Sequence, residues 1–170
     1  MDIGDKNIVL IGMPGVGKST VGVLLAKALG RNFLDVDVFV QAAEGRSLQE
    51  VIDRDGLAAF CKVEEDYTRC IDLTHAVIAT GGSVVYSEEA MRHLAAHGVI
   101  VHLDLPVDEI EQRIRNLCTR GVVMEKGQTI RSLYDQRQPL YRKYAQLTID
   151  CTGRTHDQIV SEIIRALAEA

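Results

Sequence analysis

"GMPGVGKST", residues 12–20, decides how this chain is read. Glycine, one lysine and two hydroxyl side chains crowd into a loop that follows the apolar run Ile8-Val9-Leu10-Ile11. The loop leads into Val21-Gly22-Val23-Leu24-Leu25-Ala26-Lys27-Ala28-Leu29, a predicted helix ending at Gly30. Strand, glycine loop and helix in that order lift the pattern above a chance match.

A polyphosphate suits such a loop. Gly12, Gly15 and Gly17 let the backbone turn with its amides pointing inward and no Cβ in the way. The helix that follows offers free N–H groups and a positive dipole end to the same anion. Lys18 is expected to reach the β- and γ-phosphates as a point charge, and the Ser19 hydroxyl to ligate Mg²⁺. Val16 and Thr20 complete the expected nucleotide-binding set. The loop is predicted to bind a nucleotide.

At 170 residues the chain is expected to form one domain over 1–170 with a substantial core. Hydrophobic residues make up 46% and charged residues 25%, ordinary values for a globular protein. No apolar run approaches membrane-spanning length. The N-terminus "MDIGDKN" is acidic without an apolar segment, so the expected location is cytoplasmic. A net charge of -5 argues against a nucleic-acid-binding surface, which normally carries a basic stripe. It leaves room for a nucleotide, because Lys18 and the loop amides act locally.

Cys61, Cys70, Cys118 and Cys151 are scattered without a CxxC pair, so reduced thiols are expected rather than a metal cluster. His93 and His97 sit four apart on a predicted helix, a metal-clasping spacing that lacks an acidic or cysteine partner. No sustained heptad or exposed apolar patch marks an oligomeric interface.

Apolar runs at 7–11, 33–36, 76–79, 98–103 and 147–150 alternate with helical patterns. Short continuous apolar strands suit a parallel sheet covered on both faces. The predicted architecture is an open α/β sheet, layered helix–sheet–helix, with ligands at the carboxyl ends of the strands. Ser47-Leu48-Gln49-Glu50 and Thr155-His156-Asp157-Gln158 fit capping boxes at helix starts. Ile159, Ile163, Ile164 and Leu167 mark one apolar face of a terminal helix.

Three further segments should face the same crevice. Asp35 and Asp37 lie two apart at a strand end and would point the same way if the strand continued, one toward Mg²⁺ through water and one toward a substrate hydroxyl. Solvated turn residues or helix caps are the plainer alternative for both. Thr80-Gly81-Gly82-Ser83 permits close backbone approach to a small ligand. Between 111 and 143 lies a basic run that includes Arg113, Arg120, Lys126 and Arg137. It suits either a salt-bridged helix face or the stabilisation of a transferring phosphoryl group. Residues 117–128, "LCTRGVVMEKGQ", read as a mobile lid that closes over ATP.

With these pieces in hand, the chain resembles the shikimate kinase family over nearly its whole length. "GMPGVGKST", "FLDVD", "GRSLQEVIDRDG", "ATGG" and "RQPLY" carry the likeness, in the family's order and roughly its spacing. The resemblance implies a P-loop kinase fold with a five-stranded parallel sheet, a moving lid, ATP with Mg²⁺, and a small hydroxylated acid as substrate. It implies magnesium-associated roles for Ser19 and Asp35 and a substrate-contacting role for Asp37. Gly81 and Gly82 match the substrate loop, Arg120 the lid arginine, and Arg137 the arginine that pairs with the substrate carboxylate. Arg113 looks like the arginine that stacks on adenine. The implied catalytic set is Lys18, Asp37 and Arg120.

Three positions depart from the family pattern. Cys61 stands where a substrate-binding arginine is expected, Ser83 where a third glycine is, and Gly121 follows the lid arginine in place of proline. Cys61 and Ser83 therefore join the expected acceptor-binding set, which also contains Asp37, Gly81, Gly82 and Arg137. Two other classes compete with a kinase. Asp53-Arg54-Asp55-Gly56 satisfies the DxxG of a GTP-dependent switch, but no Asn-Lys-x-Asp guanine-reading segment accompanies it. A non-catalytic nucleotide-binding module has little need for Lys18, Ser19, Asp35, Asp37 and Arg120 together.

Overall fold

In the computed structural model, which describes residues 4–116, 124 and 127–169, five short strands pair in parallel. They are β1 (Asn7–Ile11), β2 (Asn32–Asp35), β3 (Ala76–Ala79), β4 (Gly98–Asp104) and β5 (Leu147–Asp150). Their order across the sheet is β2-β3-β1-β4-β5. β1 is central, with Ile8 in register with Val77 on one side and Val99 on the other. All five residues of β1 are buried, which explains why residues 8–11 read as an unbroken apolar run.

Eight α-helices surround the sheet among the described residues: α1 (Lys18–Leu29), α2 (Val36–Glu44), α3 (Leu48–Asp55), α4 (Leu57–Arg69), α5 (Glu88–His97), α6 (Val107–Asn116), α7 (Ile130–Tyr144) and α8 (His156–Glu169). A 3₁₀ turn covers Val84–Tyr86. The main core runs along both faces of the sheet, and a small cluster of Val51 and Phe60 joins α3 to α4. The expected five-stranded parallel α/β architecture is the one observed.

Local rules explain the ends of several helices. Gly30 closes α1 in the left-handed conformation, with its N–H bonded to the Lys27 carbonyl. Ser47 and Glu50 form the expected capping box of α3, and Thr155 and Gln158 make the reciprocal pair of bonds at the start of α8. On α8, Ile159, Ile163 and Leu167 are buried, and Ile164 packs partly against the core.

One expectation needs correction. β2 ends at Asp35 and α2 begins at Val36, so the two aspartates do not share one face of a continuing strand. Asp35 is instead the N-cap of α2, its Oδ1 accepting from the Val38 N–H at 3.3 Å. The Asp35 carboxylate satisfies one of the free N–H groups at the helix start, which favours ending the strand there.

Cys61, Cys70 and Cys151 are free thiols, and Cys118 lies outside the described residues. His93 Nε2 bonds the Ile71 carbonyl and His97 Nδ1 the His93 carbonyl, which commits both rings to backbone. Among the described residues no group of three or more His, Cys, Asp or Glu is placed to hold a metal. No described helix is long and apolar enough to cross a membrane.

Candidate active site

The connections from β1 run outward to β2 through α1, while β3 returns beside β1 and the chain then crosses to β4. That reversal opens a crevice at the carboxyl ends of the central strands, where open α/β sheets bind ligands. A cavity of about 670 Å³ fills it. Its walls come from the glycine loop, α1, α2, α4, the loop after β3, α6, α7 and the start of α8.

The glycine loop supplies one end. Gly17 precedes α1 with φ 108°, and no side chain caps the helix, which leaves its first amides facing the cavity. Gly15, Gly17, Lys18, Ser19 and Thr20 all line the space. Lys18 is buried, and its ammonium donates to the carbonyls of Gly12 at 2.7 Å and Met13 at 3.1 Å. Burial pulls its pKa down to about 8 against the opposing pull of Asp37. At Gly12 and Val16, also in the expected nucleotide-binding set, the side-chain positions face the core. A Cβ on Gly12 would come within 2.7 Å of the Leu103 carbonyl, and the Val16 side chain lies in the core.

Beyond the glycine loop, on the side away from α1, Asp37, Glu64, Gly81, Gly82, Ser83 and Arg137 converge. Asp37 sits in the first turn of α2, just past its Asp35 cap. Gly81 is required by crowding: a Cβ there would overlap Glu64 Oε1 and lie 2.9 Å from Asp37 Oδ1. A Cβ on Gly82 would press on Arg137 Nη1 at 2.9 Å and on Pro14. Ser83, by contrast, has φ -88° and ψ -11°, which any residue adopts, so no glycine is needed there.

Arg137 is 1% exposed, its Nε donating to the Tyr86 hydroxyl at 3.2 Å and its guanidinium 5.2 Å from that ring. One turn along α7, Tyr141 donates to the Gly82 carbonyl at 2.7 Å and so ties the loop after β3 to the same helix. Ser83 Oγ donates to Glu64 Oε2 at 2.6 Å. Glu64 is 2% exposed, and burial pushes its pKa up to about 7.

Cys61, one turn before Glu64, is half-buried and borders a second, wider cavity between α3, α4 and α7. Arg137 stands at the boundary and lines both spaces. Lys62, next along α4, is exposed and pairs with Glu65 at 2.7 Å and Asp66 at 2.8 Å. At the opposite end of the main cavity, Arg113 from α6 donates to the Val16 carbonyl at 3.2 Å. Arg154, Thr155 and His156 complete that end, with His156 Nε2 3.3 Å from where a Cβ on Gly17 would be. Sequence reasoning passed over these three and Glu64. Arg120 and most of the expected lid lie outside the described residues.

The glycine loop and a small polar chamber thus share one cavity. The family described as "Shikimate kinase" matches residues 14–168 of the sequence. The chain belongs to the shikimate kinase family. It is 41% identical over 166 residues to a shikimate kinase of Nostoc punctiforme, covering 95% of this chain and 90% of that one. It is 37% identical over 163 residues to one from Thermodesulfovibrio yellowstonii, covering 94% of each. Among solved structures, a shikimate kinase from Acinetobacter baumannii in complex with shikimate superposes with a TM-score of 0.90 at 29% identity, over 96% of this chain and 93% of that one. A gluconokinase from Sinorhizobium meliloti shares the fold at a TM-score of 0.56 and 20% identity, over 97% of this chain and 93% of that one. The shikimate kinase family membership makes the chain a P-loop small-molecule kinase.

Proposed function

We propose that the chain transfers the γ-phosphoryl group of ATP, with Mg²⁺, to a hydroxyl of shikimate, giving 3-phosphoshikimate and ADP. One observation carries the reading: Lys18, Asp37, Gly81 and Arg137 line a single cavity although they come from four separate segments. The donor set fits a metal-bound polyphosphate, because uncapped α1 amides, a buried ammonium and the Ser19 hydroxyl meet at one end. Bound there, Mg·ATP supplies the transferable phosphoryl group.

This chain's residues then do three things. Lys18 shifts its hydrogen bonds from the Gly12 and Met13 carbonyls to phosphate oxygens. Asp37 orients the acceptor hydroxyl in line and takes its proton as the new O–P bond forms. Arg137 holds the acceptor's carboxylate, with Gly81 and Gly82 admitting the ring close to backbone. Ser19 and Asp35 are the residues that would hold Mg²⁺, and Arg113 the residue that would meet the adenine. Arg120 from the lid adds positive charge as the phosphoryl group moves.

A different hydroxylated acid is the second reading, favoured by Cys61 and Ser83 in the acceptor half. ADP release by purified protein, measured with shikimate first and then a panel of hydroxy acids, decides between them. Turnover of shikimate above all others is expected. Turnover of another acid without shikimate would move the acceptor, and release with none would remove the kinase assignment.

A further inference from the structure

Glu64 occupies an unusual position for a carboxylate. Its Oε2 is fixed by the Ser83 hydroxyl, while Oε1 is buried and has no hydrogen-bond partner among the described residues. The carboxylate lines the main cavity, and Oε1 faces Gly81 of the loop after β3. A buried polar atom left open in this way costs free energy unless a ligand or water completes it. The side chain is held by Ser83 on one oxygen, so the other is aimed rather than loose.

The groups facing Glu64 come from every side of the chamber. Asp37 of α2 opposes its negative charge, while Lys18 of α1 and Arg137 of α7 favour it. Cys61, one turn away on α4, and Tyr141 of α7 feel the same charge. Two cations thus balance two carboxylates before any ligand arrives. An acid acceptor adds one more negative charge, and Arg137 is drawn toward it. Glu64 then loses part of the attraction that favours its ionised form.

The Cys61 thiol offers the acceptor only a weak donor, and Lys62 points away into its own ion pairs. We propose that Glu64 binds the acid acceptor itself: as a neutral carboxylic acid it donates a hydrogen bond from Oε1, and acceptor binding takes up one proton from solvent. The inference rests on the acid-acceptor reading above. It assigns to Glu64 and Ser83 part of the recognition that an arginine would otherwise supply. Its pH consequence follows because free Glu64 titrates near neutrality under the cost of burial.

Calorimetry of shikimate binding in the presence of Mg·ADP tests this, repeated in two buffers of different ionisation enthalpy. With free Glu64 at about 7, affinity is expected to weaken about tenfold between about pH 6 and about pH 8. Close to one proton should be taken up at the higher pH. Glu64→Gln keeps a neutral donor and an acceptor for Ser83, so its Kd should stay flat over that range with no proton uptake. Shikimate binding by the unmodified protein without proton uptake would overturn the inference and leave the function standing. Uptake that persists in Glu64→Gln would overturn it too. Shikimate that fails to bind at any pH would remove the inference together with the acceptor it rests on.

Discussion

Glu64 and Lys18 are two of the buried charges of the cavity, and each is held off its ordinary pKa by desolvation. For Glu64 the consequence extends to folding. Its pKa rises from 4.5 to about 7 on folding, so between those values the native state holds more protons than the unfolded chain. Stability therefore falls as pH rises through that window, with no cost below 4.5 and the full cost above 7. The shift corresponds to roughly 3–4 kcal/mol, an order-of-magnitude figure. Glu64→Gln removes the charge and keeps an acceptor for Ser83, so it should be more stable than the unmodified protein at about pH 8 by that order. The gap should close toward about pH 5. Urea unfolding of both proteins across this range is the measurement, and parallel pH profiles would show that Glu64 is not held neutral by burial.

At the scale of elements, the start of α2 sets its two aspartates in different places. Asp35 caps the helix, and Asp37 in the first turn faces the cavity. Asp35→Ala should cost about 1 kcal/mol of stability through the lost cap. Asp37→Asn should leave the melting temperature near its original value and sharply reduce turnover, with nucleotide affinity little changed. Turnover surviving in Asp37→Asn while nucleotide affinity collapses would assign Asp37 to the metal and leave the substrate role to Asp35. The same helix shows what could be read beforehand and what could not. The glycine loop is contiguous, and its strand–loop–helix context was visible in the sequence. The acceptor chamber is assembled from α2, α4, the loop after β3 and α7, which only the sheet order brings together. Glu64 sits in a helix that reads as polar, yet Phe60, Glu64 and Thr68 are its three buried residues at a spacing of four. That periodicity was the available signal that the carboxylate faces inward. Arg154 and His156 were hidden because the turn from β5 to α8 carries no phosphate motif. Cys61, one turn from Glu64, allows a further test on α4. Cys61→Arg would put a guanidinium beside the carboxylate and keep Glu64 ionised. KM for shikimate should fall by about ten- to hundredfold, the value of one charge-assisted contact. Tight binding before the change and no gain after it would assign the thiol to packing alone.

The whole molecule is organised so that one cavity collects loops from both halves of the sheet, with β1 between them. α7 illustrates the coupling: Arg137 enters the cavity while Tyr141, one turn on, is buried and stacks on His102 of β4 at 5.1 Å. A ligand that occupies the cavity therefore adds contacts between elements that the loop after β3 and the sheet already join. Ligand at a hundred times its Kd stabilises the native state by about 2.7 kcal/mol. For a domain of this size that corresponds to a rise of roughly 5–11 °C in Tm. Mg·ADP and shikimate should each give a shift of this order, and together a larger one, because they contact different ends of the cavity. Arg137→Ala should abolish the shikimate increment while the Mg·ADP increment, measured against that variant's own Tm, persists. Differential scanning calorimetry on both proteins makes the comparison without requiring turnover. Loss of both increments in Arg137→Ala would mean that Arg137 supports the cavity as a whole rather than holding the acceptor acid.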